Sequence, residues 1–185
     1  TSGVYKYTDS DHFCILLLAY SIDDKETRIV DLAQGEKIPE NVLQMLTDDN
    51  VIKTAFNANF ERTCLSKHLG IRLQPESWRC TAVQASMLAL PLSLEAVGTV
   101  LGLDKQKLSE GKELIKYFCC PCKATKVNGG RTRNLPSDAP VKWELFKSYC
   151  IRDVDVEKQI RQKLTNYPIS EQEQKVYCLD QRIND

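Results

Sequence analysis

The sequence predicts an α/β domain, on three observations. A continuous apolar run from Phe13 to Ile22 has strand length and no helical period, strand-like and helix-like segments alternate as far as Gly70, and beyond Ser77 the apolar positions fall at helical spacing. With 42% apolar and 27% charged residues in 185, the composition is that of one soluble domain with a single sizeable core.

The run from Phe13 to Ile22 ends at Asp23-Asp24, as a strand buried on both faces would. Thr27 to Leu32 follows a short polar turn, and the two segments predict a β-hairpin. Pro39 opens a helix carrying Val42, Leu43 and Leu46 inward, placed where its missing N–H costs no bond. After Asp48-Asp49-Asn50 comes a strand from Val51 to Phe56. A helix then starts around Asn59 and stops at Gly70, with Cys64, Leu65 and Leu69 inward. Helices are expected from Ser77 to Leu90, from Leu92 to Leu101 and through Leu114, Ile115 and Phe118, followed by a long loop from Cys119 to Pro140. The last large helix should run from near Pro140 to Leu164. Ser170-Glu171-Gln172-Glu173 spells a capping box that starts a final helix with Val176, Leu179 and Ile183 inward.

Lys+Arg and Asp+Glu both number 25, so no global field draws the chain to nucleic acid or to an anionic membrane. Any nucleic-acid contact then rests on a local patch. The longest apolar run has ten residues, where a membrane-spanning helix needs roughly 20. The start, Thr1-Ser2-Gly3, lacks a basic segment and an apolar signal core, which predicts no secretion; the missing Met and the stop inside a helix predict a fragment of a longer chain. Eight dispersed cysteines favour a reducing cytoplasm over a disulfide framework. Cys119-Cys120-Pro121-Cys122 is dense enough to suggest zinc, although no second Cys/His pair stands at finger spacing.

In the last large helix, Leu145, Tyr149, Val156, Ile160 and Leu164 form an apolar arc, and Asp153 falls within it. A carboxylate there needs a cation, a hydrogen-bond partner or a metal. Asn57-Ala58-Asn59-Phe60-Glu61 lies where a strand joins a helix. Asn59 as N-cap and Glu61 in a first helical turn would explain both without any function. Strand ends in α/β sheets are also where sites are built. From Lys116 to Arg133, Lys116, Lys123, Lys126, Arg131 and Arg133 occur with no carboxylate beside them and with a Gly-Gly turn among them. The stretch fits phosphate contacts or an ordinary solvated loop. Phe60, Tyr117 and Phe118 are the aromatics able to stack an unpaired base.

Asn57-x-x-Phe60-Glu61 followed by Tyr149-x-x-x-Asp153 resembles the second and third motifs of the DEDD 3′→5′ exonucleases in their tyrosine variant. His12 and His68 are the only histidines, which excludes the histidine variant. The family's usual second acid is Asp; Glu61 keeps the carboxylate on a longer arm. Trp78-Arg79-Cys80-Thr81, Ser93 to Gly98 and Asn128 to Pro136 extend the likeness over nearly the whole chain, to the exonuclease region of phage-type family A DNA polymerases.

The resemblance implies a ribonuclease H-like fold, a mixed sheet flanked by helices, over residues 1–167, with 168–185 starting a helical connection toward a polymerase domain. It implies two-metal hydrolysis with Mg²⁺ or Mn²⁺ at a single-stranded 3′ DNA end, Asp153 and Glu61 holding metal and Tyr149 orienting the attacking water. Asn57, Phe60, Lys123, Lys126, Arg131 and Arg133 are the expected DNA contacts, and a phage or bacterial cytoplasm the expected setting. The family's first motif, Asp-x-Glu on a central strand, is not matched; Asp24-Lys25-Glu26 has the spelling but falls on a hairpin turn. A sheet without that strand has an edge open to exchange with a second copy. Little nuclease activity is then expected of this chain alone. Two rivals follow: a module that binds single-stranded DNA or buttresses the polymerase without catalysis, and a zinc-stabilised interaction domain built on Cys119 to Cys122.

Overall fold

The computed structural model describes residues 3–103 and 109–185; Thr1 and Ser2, where the resemblance opens, lie outside them. In chain order the elements are α1 (Val4–Thr8), β1 (Leu17–Tyr20), β2 (Arg28–Asp31), α2 (Glu40–Thr47), β3 (Lys53–Ala55), α3 (Ala58–Leu69), β4 (Trp78–Cys80), α4 (Thr81–Met87), α5 (Leu94–Val100), α6 (Ser109–Cys119), α7 (Pro140–Lys163) and α8 (Glu171–Asn184). The expected β-β-α-β-α order is present, preceded by the short helix α1.

Two strand assignments change. Of the ten-residue apolar run, only Leu17–Tyr20 pairs with β2, antiparallel, with Leu17 opposite Asp31. Phe13 turns away to meet Tyr7 edge-to-face at 5.4 Å. Trp78–Cys80, expected to be helical, is a strand parallel to β3, with Lys53 opposite Trp78 and Ala55 opposite Cys80. Its burial alternates, Trp78 and Cys80 inside and Arg79 half-exposed, a period of two that a helix could not give. The described residues therefore form two separate two-stranded sheets rather than one mixed sheet.

The core is three apolar clusters. Ala58, Leu65, Leu73, Trp78 and Cys80 pack with Tyr177 and Cys178 of α8. Ala85, Val97, Ile160 and Leu164 join α4, α5 and the end of α7. Leu114 and Phe118 of α6 meet Trp143 and Phe146 of α7, with β1 against them. The 24-residue α7 thus spans two of the clusters. Its Trp143 Nε1–H donates to the buried Asp31 carboxylate of β2 at 2.7 Å, which fixes the helix against the hairpin.

Two helix faces differ from expectation. Leu145 is half-exposed, while Trp143 and Phe146 are buried, because the start of α7 lies against α6. In α8 the expected inner residues Val176, Leu179 and Ile183 are exposed, at 57%, 58% and 74%, and Tyr177, Cys178 and Gln181 are inside. What turns α8 is a polar anchor. The fully buried Arg62 of α3 donates to Asp185 at the end of α8, at 2.8 and 2.6 Å, and to the Leu73 carbonyl at 3.0 Å. The capping box forms as expected: Ser170 Oγ accepts from the Glu173 N–H, and Glu173 Oε2 accepts from the Ser170 N–H.

Candidate active site

Because β3 and β4 run parallel and in register, their C-terminal ends open on the same edge. There the Ala82 N–H donates to the Phe56 carbonyl at 2.9 Å, holding the two exits together. Each strand leads directly into a helix, α3 from Ala58 and α4 from Thr81. Glu61 stands in the first turn of α3. The C-terminal edge of parallel strands is the usual place for a site in α/β proteins.

The helix α7 crosses this edge. Its inner seam runs through Trp143, Phe146, Cys150, Asp153, Glu157, Ile160 and Leu164, alternating steps of three and four residues. Five of the seven are apolar, as such a seam requires, and the two acids, Asp153 and Glu157, fill the middle of it. Asp153 is half-buried and Glu157 is buried. Glu157 Oε1 accepts from the Thr81 hydroxyl at 2.6 Å and lies 3.7 Å from Nε of Arg161, whose guanidinium also pairs with Asp24. Asp24 is therefore not remote from the site, although it sits on the hairpin turn.

Burial pushes the Glu61 carboxyl up to about 7, and the negative charges of Glu157 and Asp153 push in the same direction against a backbone hydrogen bond. Burial likewise lifts Asp153 to about 6, opposed by Tyr149 and Arg152. The Tyr149 phenol is raised, first by burial and then by Asp153. Glu61 Oε2 and Asp153 Oδ1 are buried and have no hydrogen-bond partner. Two buried carboxylate oxygens without partners suit a hard divalent cation, which prefers oxygen ligands. They supply part of a ligand set: among the described residues, no three His, Cys, Asp or Glu side chains converge as a metal cage. That holds for Cys119, Cys120 and Cys122 as well.

Tyr149 reaches the site across Gly111 of α6. A Cβ at Gly111 would overlap the Tyr149 ring atoms Cε2, Cζ and Cδ2, so the ring rests against bare backbone. Phe60 is 41% exposed and stacks on Tyr7 of α1, ring centres 5.9 Å apart, whereas Phe118 is core. Asn57 holds the N-cap position of α3 but makes no side-chain cap bond, and it is exposed. Asn59, the expected cap, instead accepts from the Tyr5 and Thr63 hydroxyls, each at 3.3 Å. The basic loop lies elsewhere on the chain, wound around Asn128, whose side chain accepts from the Thr125 and Gly130 N–H groups and donates to the Lys123 carbonyl. Lys123 and Lys126 are exposed. Arg131 is bound internally, to Asp138 at 3.2 Å and Asn134 at 3.0 Å, and Arg133 meets Cys14 Sγ at 2.9 Å.

Glu61, Asp153 and Tyr149 were singled out from the sequence; Glu157 and Gly111 were not, and Thr81 was named only as part of a motif, without a role. The signal for Glu157 was present: it lies one helical turn past Asp153 in an otherwise apolar seam.

The sequence profile of the 3′-5′ exonuclease family matches residues 1–167, and the chain belongs to that family. It is 53% identical over 184 residues to the DNA polymerase of Bacillus phage SP02, a match covering 100% of this chain and 28% of that polymerase. No solved structure matches.

Proposed function

We propose that this domain removes nucleotides from the 3′ end of a single DNA strand, proofreading for a polymerase domain on the same chain. The observation that carries it is that Glu61 and Asp153, near the C-terminal edge of β3 and β4, each keep a buried oxygen without a hydrogen-bond partner. Glu61 and Asp153 would hold Mg²⁺ or Mn²⁺, which when bound supplies activation of water and charge stabilisation at the leaving oxygen. Tyr149, seated on Gly111 beside Asp153, holds the attacking water through its hydroxyl. Phe60 and Tyr7 offer an aromatic surface to the terminal base, with Asn57 exposed beside it. Lys123, Lys126 and Arg133 contact phosphates; Arg131, already paired with Asp138, contributes least.

A ribonuclease H-like arrangement fits the two small sheets, with β1 and β3 as the strands that a further central strand would join. The helix α8, at 168–185, would begin the connection to the polymerase domain, in a phage-infected bacterial cytoplasm. Among the described residues no helix is long and apolar enough to cross a membrane. The spelling Asp-x-Glu occurs at Asp24-Lys25-Glu26 on a turn and at Asp155-Val156-Glu157 within α7, neither on a strand. For the 185-residue chain alone we therefore expect little or no cleavage.

The test is degradation of a 3′-labelled single-stranded oligonucleotide with Mn²⁺ by this chain and by a version extended upstream, each with an Asp153→Ala control. Cleavage by the extended version alone, lost in Asp153→Ala, is expected. Salt-sensitive DNA binding without cleavage in either, unchanged by Asp153→Ala, would favour a non-catalytic binding module instead.

A further inference from the structure

Glu157 is not part of the motifs that define the site, yet it is built in more firmly than the two acids that are. It is 6% exposed, a burial an acid side chain does not accept without partners. Its partners are two: the Thr81 hydroxyl at 2.6 Å, from the first residue of α4, and Arg161 one turn along α7, whose guanidinium also pairs with Asp24 of the hairpin turn. Lys158 adds a further positive charge on its own helix and Asp24 a negative one. Thr81 is placed by the parallel pairing of β4 with β3, the same pairing that sets the start of α3 and hence Glu61. Asp153 and Glu157 are adjacent positions of one helical seam. Glu61 is thus placed by α3 and the two other acids by α7, and Glu157, unlike Glu61 and Asp153, has no buried oxygen left without a partner.

We propose that Glu157 is a positioning residue of this site: clamped by Thr81 and Arg161, it fixes a negative charge beside Glu61 and Asp153 and so strengthens their hold on a divalent cation. This rests on the cation-binding reading of Glu61 and Asp153 above. A purely structural Glu157 would need only its hydrogen bond to Thr81, which Gln can also make. Charge at this position is what separates the two roles.

The experiment is Mn²⁺ titration at pH 8, with free Mn²⁺ followed by electron paramagnetic resonance, on the wild-type chain, Glu157→Gln, Glu157→Asp and Asp153→Asn. Each protein is also melted without metal to show that it is folded. Glu157→Gln should keep its melting temperature and bind Mn²⁺ about tenfold more weakly, as loss of one nearby charge at an interior dielectric predicts. Glu157→Asp should recover part of that loss. Unchanged Mn²⁺ affinity in Glu157→Gln, with Asp153→Asn impaired, overturns the role of Glu157 alone. Unchanged affinity in Asp153→Asn, or no Mn²⁺ binding by the wild type, overturns the cation site and with it this inference. Should Glu157→Gln fail to fold, Thr81→Val serves as the second variant: it frees the same carboxylate without removing its charge, and an unchanged Mn²⁺ affinity there would likewise overturn the clamp.

Discussion

Neighbouring residues of α3 meet opposite fates, and the difference follows from the helical turn of 100° between them. Glu61 faces the site with an unpartnered oxygen; Arg62 points the other way, fully buried, its two terminal nitrogens bonded to Asp185 and the Leu73 carbonyl. Removing one partner of a buried pair leaves the other uncompensated, so Arg62→Ala should destabilise the chain by about 3 kcal/mol, measured by urea denaturation. A loss below about 1 kcal/mol would mean that Arg72, which also reaches Asp185 at 3.3 Å, suffices. At Gly111, alanine would gain about 1 kcal/mol of helix propensity. The overlap of its methyl with the Tyr149 ring outweighs that gain for function. In a version extended to include the proposed polymerase domain, Gly111→Ala should lower the rate of 3′ cleavage about 10- to 100-fold, with little change in melting temperature.

The buried acids also set a pH dependence. Glu61 is raised from 4.5 to about 7 and Asp153 from 3.8 to about 6. Since both folded values lie above the unfolded ones, the stability they allow is present in full below pH 4 and is lost as the pH rises through 6 to 7. The melting temperature of the cation-free chain should fall across that interval, and Mn²⁺ should restore it most above pH 7. A melting temperature that climbs over the same range without metal would contradict the burial of these groups.

At the scale of elements, what the sequence made legible was local and what it hid was tertiary. The capping box of α8 was readable because every group in it lies within four residues; Ser170→Ala should cost about 1 kcal/mol in the same urea experiment. The face of α8 was not readable, because Val176, Leu179 and Ile183 are more apolar than the residues buried in their place. Arg62, 123 residues away from Asp185, decides the rotation. The strand β4 was hidden for a similar reason: three residues carry little periodicity, and only the partner β3 makes Trp78–Cys80 extended. In α7 the arc at 100° per residue led to Leu145, whereas packing against α6 and then α4 and α5 selects a seam of period 3.5. The same shift conceals Glu157 from an arc that still contains Asp153.

For the whole molecule, motif spelling carried further than periodicity. Glu61 and Asp153 are 92 positions apart, and no local rule joins them; the ordered motifs did, and the fold brings both to one edge. The basic loop shows the converse, since its charges were plain in the sequence while the pairing of Arg131 with Asp138 was not. The division into two small sheets leaves each of the four strands with one unshared edge among the described residues, the feature a further strand would use to join them. The most direct measurement is an anomalous-difference map from crystals grown with Mn²⁺ at pH 8. A manganese peak bounded by Glu61 Oε2 and Asp153 Oδ1, about 2.1 Å from each, is the predicted result. Manganese bound elsewhere, or a map empty between these two oxygens, would contradict it.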